Sequence, residues 1–473
     1  MPPETPRIPS FPRRTHTCGG LNLADAGRDA TLNGWVASIR DHGGLRFLDL
    51  RDRYGTTQVV LDAALVPLSD SLVQQAPAST ALRPEFVIAV EGTVRPRPEG
   101  MRNTKLPTGE IEVAARQVVI LNESKVPPFD VSGTGAEPGE EVRLRYRYLD
   151  LRRAFMQRNL LTRAAIVRTM RDFLDSEGFL DLETPLLTKS TPEGARDFLV
   201  PARNHPGRFF ALPQSPQLFK QLFMISGYDR YYQVVRCLRD EDLRADRQPE
   251  FTQVDIEASF IDEVFVQSLI EGLFAEVFPV AGIEVATPFP RITWQEAMDR
   301  FGIDRPDTRF GMEIVDLAGV AGETEFAPFR TALAEEGLVR GIVVPGGSGL
   351  SRKRIDELTE VAKQFGAGGL IWMKFEASGA TSSIKKFLDE SGHDRFRQAL
   401  GAAEGDLALI VAGKKTVVWD ALGNLRLRVA RDEKMIPENR WDFLWVVDFP
   451  LLEWDSDGDR WAARHHPFTS PRI

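Results

Sequence analysis

Two cysteines in 473 residues, Cys18 and Cys237, are too few and too far apart for a disulfide framework or a cysteine zinc cage, and they suit a reducing cytoplasm. No stretch reads as the roughly 18 consecutive apolar residues that a bilayer crossing needs, so no membrane partner is expected. Met1–Phe11 carries four prolines and no apolar core segment, which excludes a secretory leader and reads as a disordered lead-in. Neither a P-loop signature nor G-x-G-x-x-G stands at a strand–helix junction, so nucleotide binding by those routes is not expected. Internal repeats and low-complexity tracts are absent too. An excess of basic charge is also missing: the net charge is −9, with the first third near neutral and the rest acidic. That total argues only weakly against a nucleic-acid partner, because local basic strips survive in acidic proteins.

What is present is ordinary globular composition, 42% hydrophobic and 27% charged, in a chain long enough for two to four domains. Residues 1–125 alternate short β-like runs with Gly and Asp/Asn turns: Thr31–Ile39, Leu45–Arg51, Thr57–Leu61, Phe86–Val94 and Ile111–Leu121. Five short strands at this spacing suggest a small barrel of the OB type, although pattern alone does not separate it from other small barrels. Residues 126–145, rich in Pro, Gly and acids, read as a hinge. Helical spacing of Leu160, Ala164, Val167, Met170 and Leu174 follows, with Gly178 as the stop. Strands Phe179–Leu182, Tyr231–Leu238 and Gln253–Phe260 then predict an α+β domain on an antiparallel sheet over 146–310. Residues 311–431 mix Ala-rich helices with isolated strands and read as an inserted α/β module. Dense apolar strand character resumes over Trp441–Leu452, within a last segment 432–473.

Three constellations carry chemistry. In the barrel run Arg46–Arg51, alternation places Leu48 and Leu50 on one face and Phe47, Asp49 and Arg51 on the other. The neighbouring strand turns Val59 and Leu61 inward and Gln58 outward. An exposed aromatic beside an amide is what reading single-stranded bases requires, since stacking gives affinity and edge contacts give identity. The alternative is a surface Phe packed under a neighbouring loop. The second constellation joins Ser190–Asp197, with Glu193, to Gln214–Gln221, with Ser215, Gln217 and Lys220. Carboxylate and ammonium together suit an amino acid, and a lysine there favours an acidic one. The third is the loop Arg236–Phe251, whose arginines offer paired donors for phosphate and whose acids suit Mg2+ on those phosphates. A salt-bridged hairpin loop is its bland alternative. His465-His466 is the His pair of the chain, and adjacent strand residues face opposite ways, so a shared metal is not expected there.

In their order these stretches resemble the class II aminoacyl-tRNA synthetases of the bacterial aspartyl type. Gly178-Phe179-Leu180-Asp181-Leu182-Glu183-Thr184-Pro185 looks like the family's first motif, and Leu238-Arg239-Asp240-Glu241 through Glu257 like its second. Arg95 to Glu112 is also typical. The resemblance implies an N-terminal OB-fold anticodon-binding domain, a hinge, an antiparallel catalytic sheet and an inserted module. It implies ligation of L-aspartate to tRNA(Asp) through an adenylate, with ATP and Mg2+, in a cytoplasmic homodimer with Pro185 at the interface. By the same resemblance Arg239 would hold the α-phosphate, and Asp240, Glu241 and Gln248 would contact ATP, with Arg239 and Glu241 the residues of the chemistry. Glu193, Ser215, Gln217 and Asp255 would surround the substrate ammonium, while Lys220, Arg239, His465 and His466 would face its carboxylates. Phe47 and Gln58 would meet the anticodon. His42, in Asp41-His42-Gly43-Gly44, resembles the members that also charge tRNA(Asn).

The family's third motif, with its ATP-tail arginine and a further arginine on the substrate side chain, should follow His465-His466-Pro467-Phe468 by tens of residues. The expectation is therefore a truncated or split chain, inactive alone and aggregation-prone at open sheet edges. The competing readings are an enzyme confined to tRNA(Asp), a non-catalytic tRNA-binding fragment or paralogue, and a class II enzyme for asparagine or lysine.

Overall fold

The computed structural model describes residues 12–62, 68–69, 82–133, 135–191, 193–243, 247–455, 458–465 and 469–470. The lead-in Met1–Phe11, loop residues 244–246 and His466 lie outside the described residues. The chain divides into two compact units, Met1–Thr169 and Met170–Ile473.

In the first unit five strands close a barrel. Asp29–His42 pairs antiparallel with both Leu45–Asp52 and Val87–Pro96, and Ile111–Asn122 pairs antiparallel with Val87–Pro96. A short parallel pairing, Val59 with Val113 and Val60 with Ala114, shuts the cylinder. Alternation explains the register: Leu32, Val36, Leu48, Leu50, Val59, Leu61, Val90 and Val113 fill the interior. At Val36/Ser38 a bulge shifts the register. The end of the expected hinge is helical, in Glu140–Arg145 and then Arg147–Asp150. Those turns are pinned by buried Asp150, which accepts from Arg143, Arg147 and Arg153.

The second unit opens on the end of helix Ala154–Ser176, and Gly178, at φ 78°, turns the chain into strand Leu180–Asp181. Its centre is the antiparallel hairpin Arg230–Leu238/Glu250–Ala258, with Leu180 and Asp181 parallel at its edge. Leu174, Phe179, Tyr232 and Leu269 form the core behind this sheet.

One expectation needs correcting here. Helix Glu263–Val277 and the 3-10 turn that continues it form a run, Glu263–Ala281, with a mean hydropathy of 1.5 over its apolar window. It is long and apolar enough, by length and composition alone, to cross a bilayer. In the fold, Phe274 and Phe278 pack with Phe289 and Phe443, and Glu271 accepts from Trp445 Nε1 at 2.8 Å.

Residues from Phe310 onward build the module. Its sheet runs in the order Val315–Asp316, Leu338–Val344, Leu407–Gly413, Ile371–Glu376, Gly379–Ser382, antiparallel at every pairing. Arg352–Gln364 and Lys415–Asp432 cover one face, and Ala327–Ala334 and Glu390–Leu400 the other. Strand Trp445–Val447 then pairs parallel with Arg291–Thr293, returning the chain to where the module departed. Of the apolar run expected to be strand over Trp441–Leu452, these three residues pair here, and Leu452 opens a separate strand, Leu452–Asp455, paired with Arg460–Ala463. Asp448, at φ 56°, and Pro450 break the ladder beyond Val447.

Candidate functional site

One face of the hairpin carries Tyr231, Gln233 and Cys237, opposite Glu257, Asp255 and Phe251. Helix Gln217–Ile225 lies against it and drives Lys220, 8% exposed, onto the acids. Lys220 Nζ donates to Asp255 Oδ1 at 2.9 Å and stands 3.1 Å from Glu257 Oε2. Burial alone would lower this ammonium, but the two carboxylates outweigh it and hold its pKa above the ordinary lysine value. Burial raises the Asp255 carboxyl, Lys220 pulls it back, and Glu257 and Glu193 push it up again. Among the described residues Asp255 Oδ2, although buried, has no hydrogen-bond partner.

Loop residues 193–197, with Thr191, are fastened to the segment that leads into helix Gln217–Ile225. Ser215 Oγ donates to Glu193 Oε2 at 2.6 Å, and Thr191 Oγ1 to Glu193 Oε1 at 3.2 Å. The Gln214 amide brackets Ala195, donating to its carbonyl at 2.9 Å and accepting from its N–H at 3.1 Å, and also donates to Asp197 Oδ1. Gln217 begins the helix, its own N–H donating to Ser215 Oγ at 3.2 Å. Sequence reasoning left Gln214, Asp197 and Glu257 out of the site. Their pairings bridge distant segments, and no periodicity announces them.

Arg239 leaves the hairpin with its guanidinium 5.2 Å from the centre of the Phe251 ring and its Nε donating to Gln214 O at 3.4 Å. That places it between the fastened loop and the strand. Beside it opens a cavity of about 320 Å³ lined by Gly194, Arg196, Asp240, Glu241, Asp242 and Arg247. Asp240 N donates to Arg196 O, and Arg247 pairs with Glu241 at 3.3 Å. Gln248 is exposed on the same loop. The Cys237 thiol, donating to Gln253 Oε1, is pushed up to about 11 chiefly by burial, so it is no nucleophile at neutral pH. The His465 ring packs edge-on to Phe449, and among the described residues its buried Nε2 has no hydrogen-bond partner.

On the barrel, Phe47 is half-buried and His42 meets it edge to face, ring centres 5.8 Å apart. Gln58, only 8% exposed, donates to Glu112 Oε2 at 3.0 Å and accepts from Arg40 at 3.4 Å. Arg40 also grips Asp49, and Arg95 grips Glu112 at 2.8 Å. Gln58 is thus already engaged, and Phe47 with His42 is the more accessible pair. Pro185 is exposed, followed by Leu186 at 54% and Leu187 at 51% exposure.

Against known proteins, the family model "tRNA synthetases class II (D, K and N)" matches residues 139–473, and that of the "OB-fold nucleic acid binding domain" matches 30–121. The Aspartate--tRNA(Asp/Asn) ligase of Caldanaerobacter subterraneus is 52% identical over 462 residues, 97% of this chain and 77% of that protein. The protein of the same name from Protochlamydia amoebophila is 48% identical, over 98% of this chain and 76% of its own. A solved asparaginyl-tRNA synthetase from Pyrococcus horikoshii, complexed with asparaginyl-adenylate, superposes with a TM-score of 0.51 over 89% of this chain and 97% of that one. At 17% identity that likeness speaks to fold alone. With its matched barrel, its hairpin site and relatives at half identity over nearly its whole length, this chain belongs to the class II tRNA synthetases of the D, K and N group.

Proposed function

We propose that the protein ligates L-aspartate to tRNA(Asp) and to tRNA(Asn) through aspartyl-adenylate, as a cytoplasmic homodimer. The observation that carries this is Lys220 held between Asp255 and Glu257, with Asp255 Oδ2 buried and unpartnered. Such a pocket suits a ligand bearing one ammonium and two carboxylates: the ammonium meets Asp255, Glu193, Ser215 and Gln217, and a carboxylate takes Lys220. An α-carboxylate oxygen of aspartate attacks the α-phosphorus of ATP, and the bond to the bridging oxygen breaks, so pyrophosphate leaves. Arg239 holds the α-phosphate and spreads the charge that develops there, and Glu241, Asp240 and Gln248 contact the nucleotide. Asp240 and Glu241, beside Arg196 and Arg247, would be the carboxylates to hold Mg2+, which would neutralise phosphate charge on the nucleotide. The tRNA 3′ hydroxyl then attacks the acyl carbon and AMP leaves. Positioning supplies much of the rate. Removing Arg239 should cost about 10²–10³ in adenylate formation.

Phe47 stacks an anticodon base and Gln58 serves its neighbour, while His42, in ring contact with Phe47, relaxes the choice between the two tRNAs. The names of the half-identical relatives support that dual substrate. Pro185, Leu186 and Leu187 offer the dimer surface. The test is charging of purified tRNA(Asp) and tRNA(Asn) with radiolabelled aspartate, using the protein together with any sequence its gene encodes after Ile473. Charging of both supports the reading. Charging of tRNA(Asp) alone sinks the dual substrate, and charging with asparagine or lysine instead sinks the aspartate assignment.

A further inference from the structure

The far end of the barrel face that carries Phe47 has features the anticodon reading does not use. There the segment around Cys18 is fitted onto the turn that joins Leu45–Asp52 to Gly55–Asp62. Cys18 N donates to Asp52 Oδ2 at 3.0 Å, and Thr57 Oγ1 donates to Cys18 O at 2.6 Å. A Cβ on Gly19 would stand 2.0 Å from Tyr54 O, and one on Gly55 2.7 Å from Gly19 Cα, so both must be glycine for the backbones to touch. On this rigid base Tyr54 projects with 51% of its surface exposed. The Arg53 guanidinium lies 4.6 Å from its ring centre and that of Arg14 5.8 Å. Alongside runs a groove of about 410 Å³ lined by Arg13, Arg14, Asn33, Trp35 and Asp52, among others.

The charges at this end are sorted by depth. The side chain of Asp52 is 5% exposed; it accepts from the amides of Cys18, Tyr54 and Gly55 and stands 3.6 Å from Arg14 Nη1, so that Arg14 is partly paired. Glu85, also buried, is spent on Arg51 and Arg152. By contrast the Arg14 side chain is 47% exposed, and Arg13 and Arg53 are exposed too. Outward, therefore, the surface is basic and aromatic although the chain as a whole is acidic. The strand register makes it continuous with the Phe47 end: Arg40 lies opposite Phe47, Ser38 opposite Asp49 and Trp35 opposite Arg51. Four residues along a strand span about 13 Å, a length that two or three nucleotides of an RNA strand cover.

We propose that Arg13, Arg14 and Arg53, with Tyr54, form a second RNA contact, gripping the sugar–phosphate backbone of the tRNA arm whose anticodon bases meet Phe47. This rests on the tRNA reading above and extends it to a part of the partner that carries no base identity. Guanidiniums stacked on a ring keep their donor edges free for phosphate oxygens, and stacking fixes their direction. Such contacts supply affinity and salt dependence rather than sequence choice. The groove thus acts as a rail that holds the arm while Phe47 and Gln58 examine the loop.

The experiment measures equilibrium binding of a tRNA(Asp) transcript, and of the same transcript with its anticodon replaced, across a salt series. Wild type, the double variant Arg13→Ala/Arg53→Ala and Phe47→Ala are compared, with Arg14 left in place because it neighbours Asp52. The double variant is expected to bind both transcripts ~10-fold more weakly, with the slope of log Kd against log salt reduced by about two, one for each arginine. Phe47→Ala should instead weaken the cognate transcript selectively. Thermal melting of the double variant should match wild type, which separates lost contact from lost fold. Wild-type Kd and slope in the double variant would overturn the rail while a selective Phe47 effect left the tRNA reading intact. Weakening confined to the cognate transcript would also overturn it, since a backbone contact does not distinguish the two. Failure of the wild-type protein to bind either RNA would remove the tRNA reading and the rail with it.

Discussion

Lys220 Nζ sits 2.9 Å from Asp255 Oδ1, so the ammonium that should greet an acidic substrate is already paired inside the free protein. Substrate entry on this geometry is an exchange of partners. On the proposed reading aspartate would offer its ammonium to Asp255 Oδ2, which is buried without a hydrogen-bond partner among the described residues, and a carboxylate to Lys220.

Lys220→Met is expected to raise the aspartate concentration for half-maximal ATP–pyrophosphate exchange by about 10- to 150-fold, the equivalent of about 1.5–3 kcal/mol for a lost charged hydrogen bond. The ATP requirement should change little. The variant also leaves Asp255 and Glu257 facing each other without the cation between them, so some stability should be lost as well. Aspartate dependence unchanged from wild type would show that Lys220 only holds the hairpin to its helix.

A different kind of burial governs Arg426, which is fully buried in the helix Lys415–Asp432 of the module. Its guanidinium donates to the carbonyls of Met312, Asp307, Phe310 and Gly311 at 2.8–3.1 Å and lies 4.2 Å from the Phe310 ring centre. Burial lowers its pKa to about 10, with Asp307 and Glu313 opposing the fall. Arg426→Leu fills the volume but strands those carbonyls, and should cost about 3–5 kcal/mol in denaturant unfolding. Arg426→Lys should recover little, because a point charge cannot span the four acceptors. A lysine variant as stable as wild type would mean that charge alone matters here.

These residues mark what could be read from the chain. The barrel is legible along Leu45–Asp52, where buried Leu48 and Leu50 alternate with half-buried Phe47 and Asp49, whereas in Gly55–Asp62 the residues Thr57 to Leu61 are buried without a break and alternation fails. Lys220, Arg239 and Glu193 were legible because they stand in ordered motifs. Gln214 was harder, since its partners Ala195 and Asp197 lie in another segment and an amide clamp leaves no spacing to find. Arg426 looked like any surface charge on a helix. Only the fold shows that the loop 307–312 folds back over it.

The junction beside Arg426 also sets an acid limit. Arg300 grips Glu313 with two hydrogen bonds, at 2.7 and 2.8 Å, and Arg309 grips Asp307 likewise at 2.7 and 2.9 Å. These hydrogen bonds, against partial burial, hold both carboxyls below their ordinary values of 4.5 and 3.8. Depressed carboxyl values mean that the stabilisation is complete above the ordinary values and is lost as pH falls through the folded ones. Melting temperature should therefore hold from pH 7 down to about 5 and decline below pH 4.5, with Glu313→Gln flattening part of that decline. An unaltered pH profile in Glu313→Gln would show that the pair contributes nothing to acid stability.

The barrel end that carries Tyr54 allows a steric prediction. Gly19 has an ordinary backbone, so Gly19→Ala carries no conformational penalty, yet its Cβ would meet Tyr54 O at 2.0 Å. Something must shift, and the neighbouring atoms are backbone rather than the end of a flexible side chain. Forced overpacking of this kind costs about 1–3 kcal/mol. Gly139→Ala is the matched control in the same unit, because a Cβ there meets nothing within 4 Å. Denaturant unfolding should show Gly19→Ala destabilised and Gly139→Ala unchanged. If displacement of the turn also moves Tyr54 and Arg53, Gly19→Ala should lose RNA affinity at temperatures where it remains folded. Equal stability of the two alanine variants would mean that the turn yields freely, and the close fit of Gly19 to Gly55 would then not be what holds Tyr54 in place.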